Sequence, residues 1–301
     1  MNPETTAEQL FFVTLRIESS GVDSGWIGTG FIYGVETTKG TAHFLITNKH
    51  VLQDAESLAV TFISSDGTNA PRLGDGLRMT WKGVTAASWA AHPDPGVDVA
   101  AAALSPLLNA AERAYGRSPF IRSVSPALCL RPEQLPDLDA YESVVFVGYP
   151  AGIYDTTNLL PVMRRGTTAT PIGVNYRGMP AFLIDAAVFP GSSGSPVFLM
   201  DQGSYSTRGT MHLGANRLIL LGILAAAHVR QVDGRVRELP AKFGVEFDEP
   251  VGLGIVFRAE AIDVCVDQLL ARGGLVRGAP ESPAVAVAQS PADEALQEMA
   301  E

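Results

Sequence analysis

Cysteine is scarce here: Cys129 and Cys265 are the only two in 301 residues. Neither stands in a metal-ligand spacing, and two are too few for a disulfide framework. They read as free, buried thiols of a cytosolic protein. Positive charge is also in deficit, with 22 Lys and Arg against 32 Asp and Glu and a formal charge of −10. Nucleic acid and anionic membranes both require a positive field, so neither is expected as a partner, although basic substrates remain open. Long apolar runs are missing too. The stretch "LILLGILAAA" (218–227) is too short to span a bilayer and reads as a fully buried strand. The opening "MNPETTAEQLFFVTLRIES" has acidic residues where a signal peptide carries positive ones, so the expected localisation is cytoplasmic.

The chain is rich in turn-formers and core-formers, with 30 glycines, 20 prolines and 46% hydrophobic residues. Short apolar or alternating runs lie at 11–17, 28–35, 42–48, 57–63 and 97–104. A second group follows at 143–150, 162–172, 181–188, 195–200, 218–227 and 251–257. So many short strands separated by Gly, Asp and Ser predict an all-β protein of sandwiches or barrels. Residues 105–142, helical around "LLNAAERAY", read as a connector between two halves. "AEAIDVCVDQLLAR" (259–272) places Ile262, Val266, Leu269 and Leu270 at helical spacing, predicting a terminal amphipathic helix on the second barrel. From 275 the composition turns to Ala, Pro, Glu and Ser, with too little apolar surface to offset the entropy of ordering, so 275–301 reads as a disordered tail.

The chemistry centres on "VFPGSSGSPVF" (188–198), three serines among glycines and prolines. Alone it reads as a tight turn. A serine hydroxyl becomes a useful nucleophile only beside a base, with a group to orient that base and donors for the developing oxyanion. Five histidines (43, 50, 92, 212 and 228) are the candidate bases. His50 ends a strand in "AHFLITNKHVL", where side chains face a cleft. Asp98, in "HPDPGVDVAAAAL", enters an apolar strand, and a carboxylate so placed needs a partner such as an imidazole N–H.

The order His50, Asp98, Ser193 is that of a chymotrypsin-type triad. With "GTGFIYG", "FLITNKHVL", "DVAAAAL", "VVFVGYPAG" and "IDAAVFPGSSGSPVF" in succession, residues 10–270 resemble a trypsin-like serine peptidase of the chymotrypsin fold. The pattern is most similar to that of the bacterial HtrA/Deg-like peptidases, here without a PDZ domain. The resemblance implies two six-stranded antiparallel β-barrels with the active site between them and a C-terminal helix. The first barrel (1–125) would carry His50 and Asp98, and the second (126–274) Ser193.

It further implies that Ser193 is the nucleophile, His50 the base and Asp98 its orienter. Gly191 and Ser193 would lend their N–H groups to the oxyanion hole, leaving Ser192 and Ser195 structural. Ala187 would stand at the base of the primary specificity pocket beside Val188, with Ala225, Ala226 and Ala227 along the substrate strand. No acid lies there to pair Lys or Arg, so cleavage after small or medium apolar residues of a protein or peptide substrate is expected. No cofactor or metal is implied, and an activating partner would govern any latency of the 189–193 loop. The alternative reading is a latent or inactive protease-fold module that binds peptides.

Other segments take plainer readings. "GWIGTG" lacks the Lys-Ser/Thr of a phosphate loop and reads as close strand packing. "HPDP" (92–95) reads as a turn, Asp185 as a strand-end residue, and "MRRGT" (163–167) as an exposed turn that in this fold can border the active site.

Overall fold

The computed structural model describes residues 2–21, 25–82, 84, 88–235 and 244–278, with the backbone alone over 226–251. A short helix, α1 (Thr6–Leu10), leads into β1 (Thr14–Ser20), β2 (Gly25–Thr37) and β3 (Gly40–Thr47). The single turn α2 (Lys49–Leu52) follows, then β4 (Ser57–Ser65), β5 (Pro71–Lys82), β6 (Trp89–Ala91) and β7 (Ala100–Ala103). Helix α3 (Ser105–Tyr115) and β8 (Pro119–Phe120) complete the first half. The second half comprises β9 (Ser143–Gly148), β10 (Val162–Thr168), β11 (Ala181–Asp185), β12 (Pro196–Asp201), β13 (Ser204–Thr207), β14 (Thr210–Leu213), β15 (Arg217–Arg235), β16 (Gly244–Arg258) and α4 (Glu260–Arg272).

The fold is all-β and chymotrypsin-like. In the second half β10-β11-β16-β15-β12-β9 close into a six-stranded antiparallel barrel, with β13–β14 a separate hairpin. The first half is an eight-stranded sheet, ordered β5-β4-β1-β2-β3-β7-β6 with β8 on β4, rather than a six-stranded ring. The added strand β5 alternates inward Leu77, Met79 and Trp81 with outward Arg78, Thr80 and Lys82, a period-2 pattern interrupted by glycines. Each half has its own core, around Ile17, Ile32, Leu58 and Phe62 in the first and Phe146, Phe182, Ile184 and Leu221 in the second. A third cluster joins them, with Phe31, Tyr33, Val97 and Val99 packed together with Val147, Phe198 and Phe257.

Helix α4 follows the barrel in the chain and keeps contact with β16, but it packs mainly on β6 and β7 of the first sheet rather than on the second barrel alone. Its buried face of Ile262, Cys265, Val266 and Leu269 meets the alanine strand β7, whose small side chains let a helix approach closely. Polar contacts fix the seat: Gln268 Nε2–H donates to the Ala91 carbonyl at 3.1 Å, and the Tyr33 hydroxyl donates to Asp263 at 3.1 Å. The first residues of the expected disordered tail are ordered. Arg277 pairs with Asp263 and Asp267 at 2.7 Å, and the Gly278 N–H donates to the Glu36 carbonyl at 2.8 Å. Residues 279–301 lie outside the described residues.

Candidate active site

His50 lies in α2, the turn that ends β3. Asn48 just before it is buried, and its Nδ2–H donates to the Asp98 carbonyl at 2.6 Å, tying the 92–98 loop to the start of α2. Asp98 Oδ2 then accepts from His50 Nδ1–H at 2.6 Å, and Oδ1 from the His50 backbone N–H at 3.2 Å. An ionised carboxylate only accepts hydrogen bonds, so this pairing holds the proton on Nδ1 and leaves Nε2 as an acceptor. The His50 side chain is 51% exposed.

Ser193 lies in the turn between β11 and β12, on the other half of the molecule. Two glycines shape that turn. Gly191 has φ +86° and Gly194 φ +91°, in the left-handed region. A Cβ on Gly191 would stand 2.6 Å from the Tyr149 carbonyl oxygen, and one on Gly194 1.7 Å from that of Thr29. The turn is clasped from both sides: the Gly194 N–H donates to Leu224 O at 2.7 Å, and the Thr29 N–H donates to Ser193 O at 2.9 Å. Thr29 Oγ1–H also donates to Gly191 O at 2.8 Å, while its oxygen accepts from the Tyr149 N–H at 3.1 Å. Among the described residues the N–H groups of Gly191 and Ser193 donate to no protein acceptor. N–H groups left free in this way are the kind of donor that a developing anionic oxygen requires. Ser192 and Ser195 are buried, and among the described residues their hydroxyls have no hydrogen-bond partner.

The Ser193 hydroxyl donates to the Ala225 carbonyl at 2.9 Å, and no hydrogen bond among the described residues joins it to His50. That carbonyl is available because the β15–β16 register shifts between Leu224 and Ala226, leaving Ala225 out of the ladder. The remaining expected positions divide. Ala187 is exposed beside the turn. The side chain of Val188, next to it, is buried in the barrel core with Phe182, Leu224 and Val256. Inward and outward positions alternate along extended chain, so Val188 cannot share the exposure of Ala187. The side chains of Ala226 and Ala227 lie outside the described residues.

Sequence reasoning missed Thr29, Asn48 and Arg164. Arg164 lies in "MRRGT", which is not an exposed turn but part of β10. Its guanidinium donates to the Ala187 carbonyl and lies over the rings of Phe146 and Phe189, at 5.2 and 5.1 Å from their centroids. Burial pushes its pKa below the ordinary guanidinium value. The 187–189 segment therefore rests on a planar cation.

Residues 28–205, more than half of the chain, match the family described as the trypsin-like peptidase domain. No curated protein matches the sequence. Among solved structures, the chain is similar to the HtrA-type protease AlgW with tripeptide. That match has 16% identity and a TM-score of 0.43, covering 90% of this chain and 64% of the other. It is also similar to the serine endoprotease from Yersinia pestis, with 16% identity, TM-score 0.44 and coverages of 89% and 68%. A scabies mite inactivated protease paralogue gives 12% identity, TM-score 0.48 and coverages of 89% and 98%. The chain thus spans slightly less than two thirds of the AlgW chain.

Proposed function

Because the chain belongs to the trypsin-like peptidase domain family, we propose that it is a serine endopeptidase working through His50, Asp98 and Ser193. The observation that carries this reading is the His50–Asp98 pair on one half of the molecule, with Ser193 in the glycine turn on the other. In the proposed reaction Ser193 Oγ turns from Ala225 toward His50 Nε2 and attacks the peptide carbonyl carbon as His50 takes its proton. The N–H groups of Gly191 and Ser193 hold the oxyanion, and His50 passes the proton to the leaving amine as the C–N bond breaks. Water, deprotonated by His50, then attacks the acyl carbon; the ester bond to Ser193 breaks as His50 returns the proton to Ser193 Oγ, and Asp98 stabilises the imidazolium each time it forms.

Ala187 and the absence of an acid beside it support cleavage after small or medium apolar residues. The free, buried Cys129 and Cys265 support the cytoplasmic placement. A second reading, a latent or inactive peptide-binding module that responds to an activating partner, draws support from the Ser193–Ala225 bond. Intact mass after incubation with a fluorophosphonate tests both. A single adduct on wild type, absent from Ser193→Ala and His50→Ala, is the expected result. Its absence from well-folded wild type would favour the latent module.

A further inference from the structure

A cavity of about 630 Å³ lies between α3, α4 and the paired strands β3 and β7. That volume suits a small organic ligand. Its apolar wall is made by Phe44 of β3, Trp81 of β5, Leu107 of α3, Leu269 of α4 and Leu275 just beyond. The room exists because Ala42 and Ala103 bring only methyl groups to it. Phe44 pairs with Ala103 and Thr47 with Ala100, so the cavity stands at the end of the β3–β7 pair away from His50 and Asp98. None of the proposed triad residues lines it.

The polar groups on this wall are donors and cations, with no carboxylate among the lining residues. The His43 ring is half-buried, and no hydrogen bond among the described residues holds it. Even neutral, an imidazole has one N–H to donate, and a polar group so placed needs a partner. Ser105 Oγ accepts from the His43 backbone N–H at 2.9 Å, which leaves its own O–H to donate. Arg272, exposed at the edge of the cavity, is anchored by its bond to the Trp89 carbonyl at 2.9 Å. Helix α3 also begins at this wall without a side-chain cap, so its positive end adds to the same field. Glu36, the acid that acts on His43, is held by the Thr41 hydroxyl at 2.6 Å and does not line the cavity.

An apolar chamber with donors and cations on its wall complements a ligand that has an apolar body and one anionic end. We propose that this cavity binds a medium-chain fatty carboxylate, with the alkyl chain among Phe44, Trp81, Leu107 and Leu269 and the carboxylate toward His43, Ser105 and Arg272. A peptide in the same place would bring backbone N–H and C=O groups into largely apolar surroundings, where each needs a partner. The site is separate from the proposed triad and does not depend on the endopeptidase reading.

Isothermal titration of the full chain with octanoate, 1-octanol and octylamine, all below micellar concentrations, tests it. Octanoate is expected to bind once per chain, about tenfold more tightly than either of the others, the scale of one charge-assisted hydrogen bond. Two variants locate the site. Arg272→Gln removes the anchored cation and should bring octanoate down to the affinity of octanol. Ala103→Leu fills the cavity and should weaken octanoate at least about tenfold. Near-UV circular dichroism checks that each variant is folded, and the exposed Arg272 keeps the test decisive if the packed Ala103→Leu does not fold. No saturable binding, equal affinity for the three head groups, or octanoate affinity unchanged in Arg272→Gln overturns the proposal. Tighter binding of acetyl-Ala-Val-Leu with a free carboxylate than of octanoate overturns the fatty-acid assignment in favour of a peptide C-terminus.

Discussion

At the scale of single residues, the candidate site depends on positions where only one residue type fits. Gly191 is such a position, because its φ of +86° and the Tyr149 carbonyl 2.6 Å from any added Cβ both exclude a side chain. Gly191→Ala is therefore expected to turn its N–H away and to slow fluorophosphonate labelling about hundredfold, the usual cost of one oxyanion donor. Arg164 acts at one remove. Arg164→Ala should slow labelling about tenfold by releasing the Ala187 carbonyl, and Arg164→Lys should rescue only partly, since an ammonium lacks the planar face that stacks on Phe146 and Phe189. The glycine-serine turn, His50 and Asp98 were legible because each stands where a strand ends or begins and polarity changes. Arg164 was not, because "MRRGT" is polar like any exposed turn and only the fold lays it across two rings.

A second residue-scale effect concerns pH. Desolvation by burial lowers the pKa of His43 below its ordinary 6.5, so the folded protein keeps this imidazole neutral where the unfolded chain accepts a proton. Stability is then full above about pH 6.5 and is lost as pH falls through that value, levelling off below the lowered folded pKa. The urea midpoint should drop between pH 7.5 and 5.5, and His43→Asn should flatten that drop. A slope shared equally by wild type and His43→Asn would assign the effect elsewhere. His92, whose pKa is also lowered by desolvation and then by Lys49, is the next candidate.

At the scale of elements, periodicity reveals which face of a segment is apolar but not what covers it. The spacing of Ile262, Val266 and Leu269 predicts α4 and its buried stripe, yet points equally to either half. The choice is made by β7, whose alanines admit a helix, and by the polar contacts of Tyr33 and Gln268. Strand β5 was harder to read because Gly74, Gly76 and its outward polar residues break the apolar run, although the Leu77, Met79, Trp81 alternation is present. The docking of α4 predicts a face-dependent effect. Ile262→Ala, at a fully buried position in the shared core, should cost about 3 kcal/mol. Val264→Ala, on the exposed side, should stay within about 0.5 kcal/mol. Equal losses in chemical denaturation would mean that the helix is not seated in this way.

At the scale of the whole molecule, the proposed triad is divided between an eight-stranded sheet and a six-stranded barrel, so its geometry depends on how the halves dock. Thr29 is the fully buried link: a β2 residue whose hydroxyl serves Gly191 and Tyr149 of the other half together. Thr29→Val preserves the shape but leaves the part-buried Gly191 carbonyl and the buried Tyr149 N–H without this partner, costing about 1–3 kcal/mol. That loss resembles the one expected for Ile262→Ala, which also weakens the contact between halves but, among the described residues, makes no hydrogen bond to the 189–195 turn. The two differ in what the loss does to the 189–195 turn. At a temperature where both variants remain folded, Thr29→Val should slow fluorophosphonate labelling at least tenfold and Thr29→Ser should restore it, while Ile262→Ala should label at the wild-type rate. If both variants label alike, docking of the halves would be a matter of stability alone, and the hydroxyl of Thr29 would have no part in holding the turn that presents Ser193.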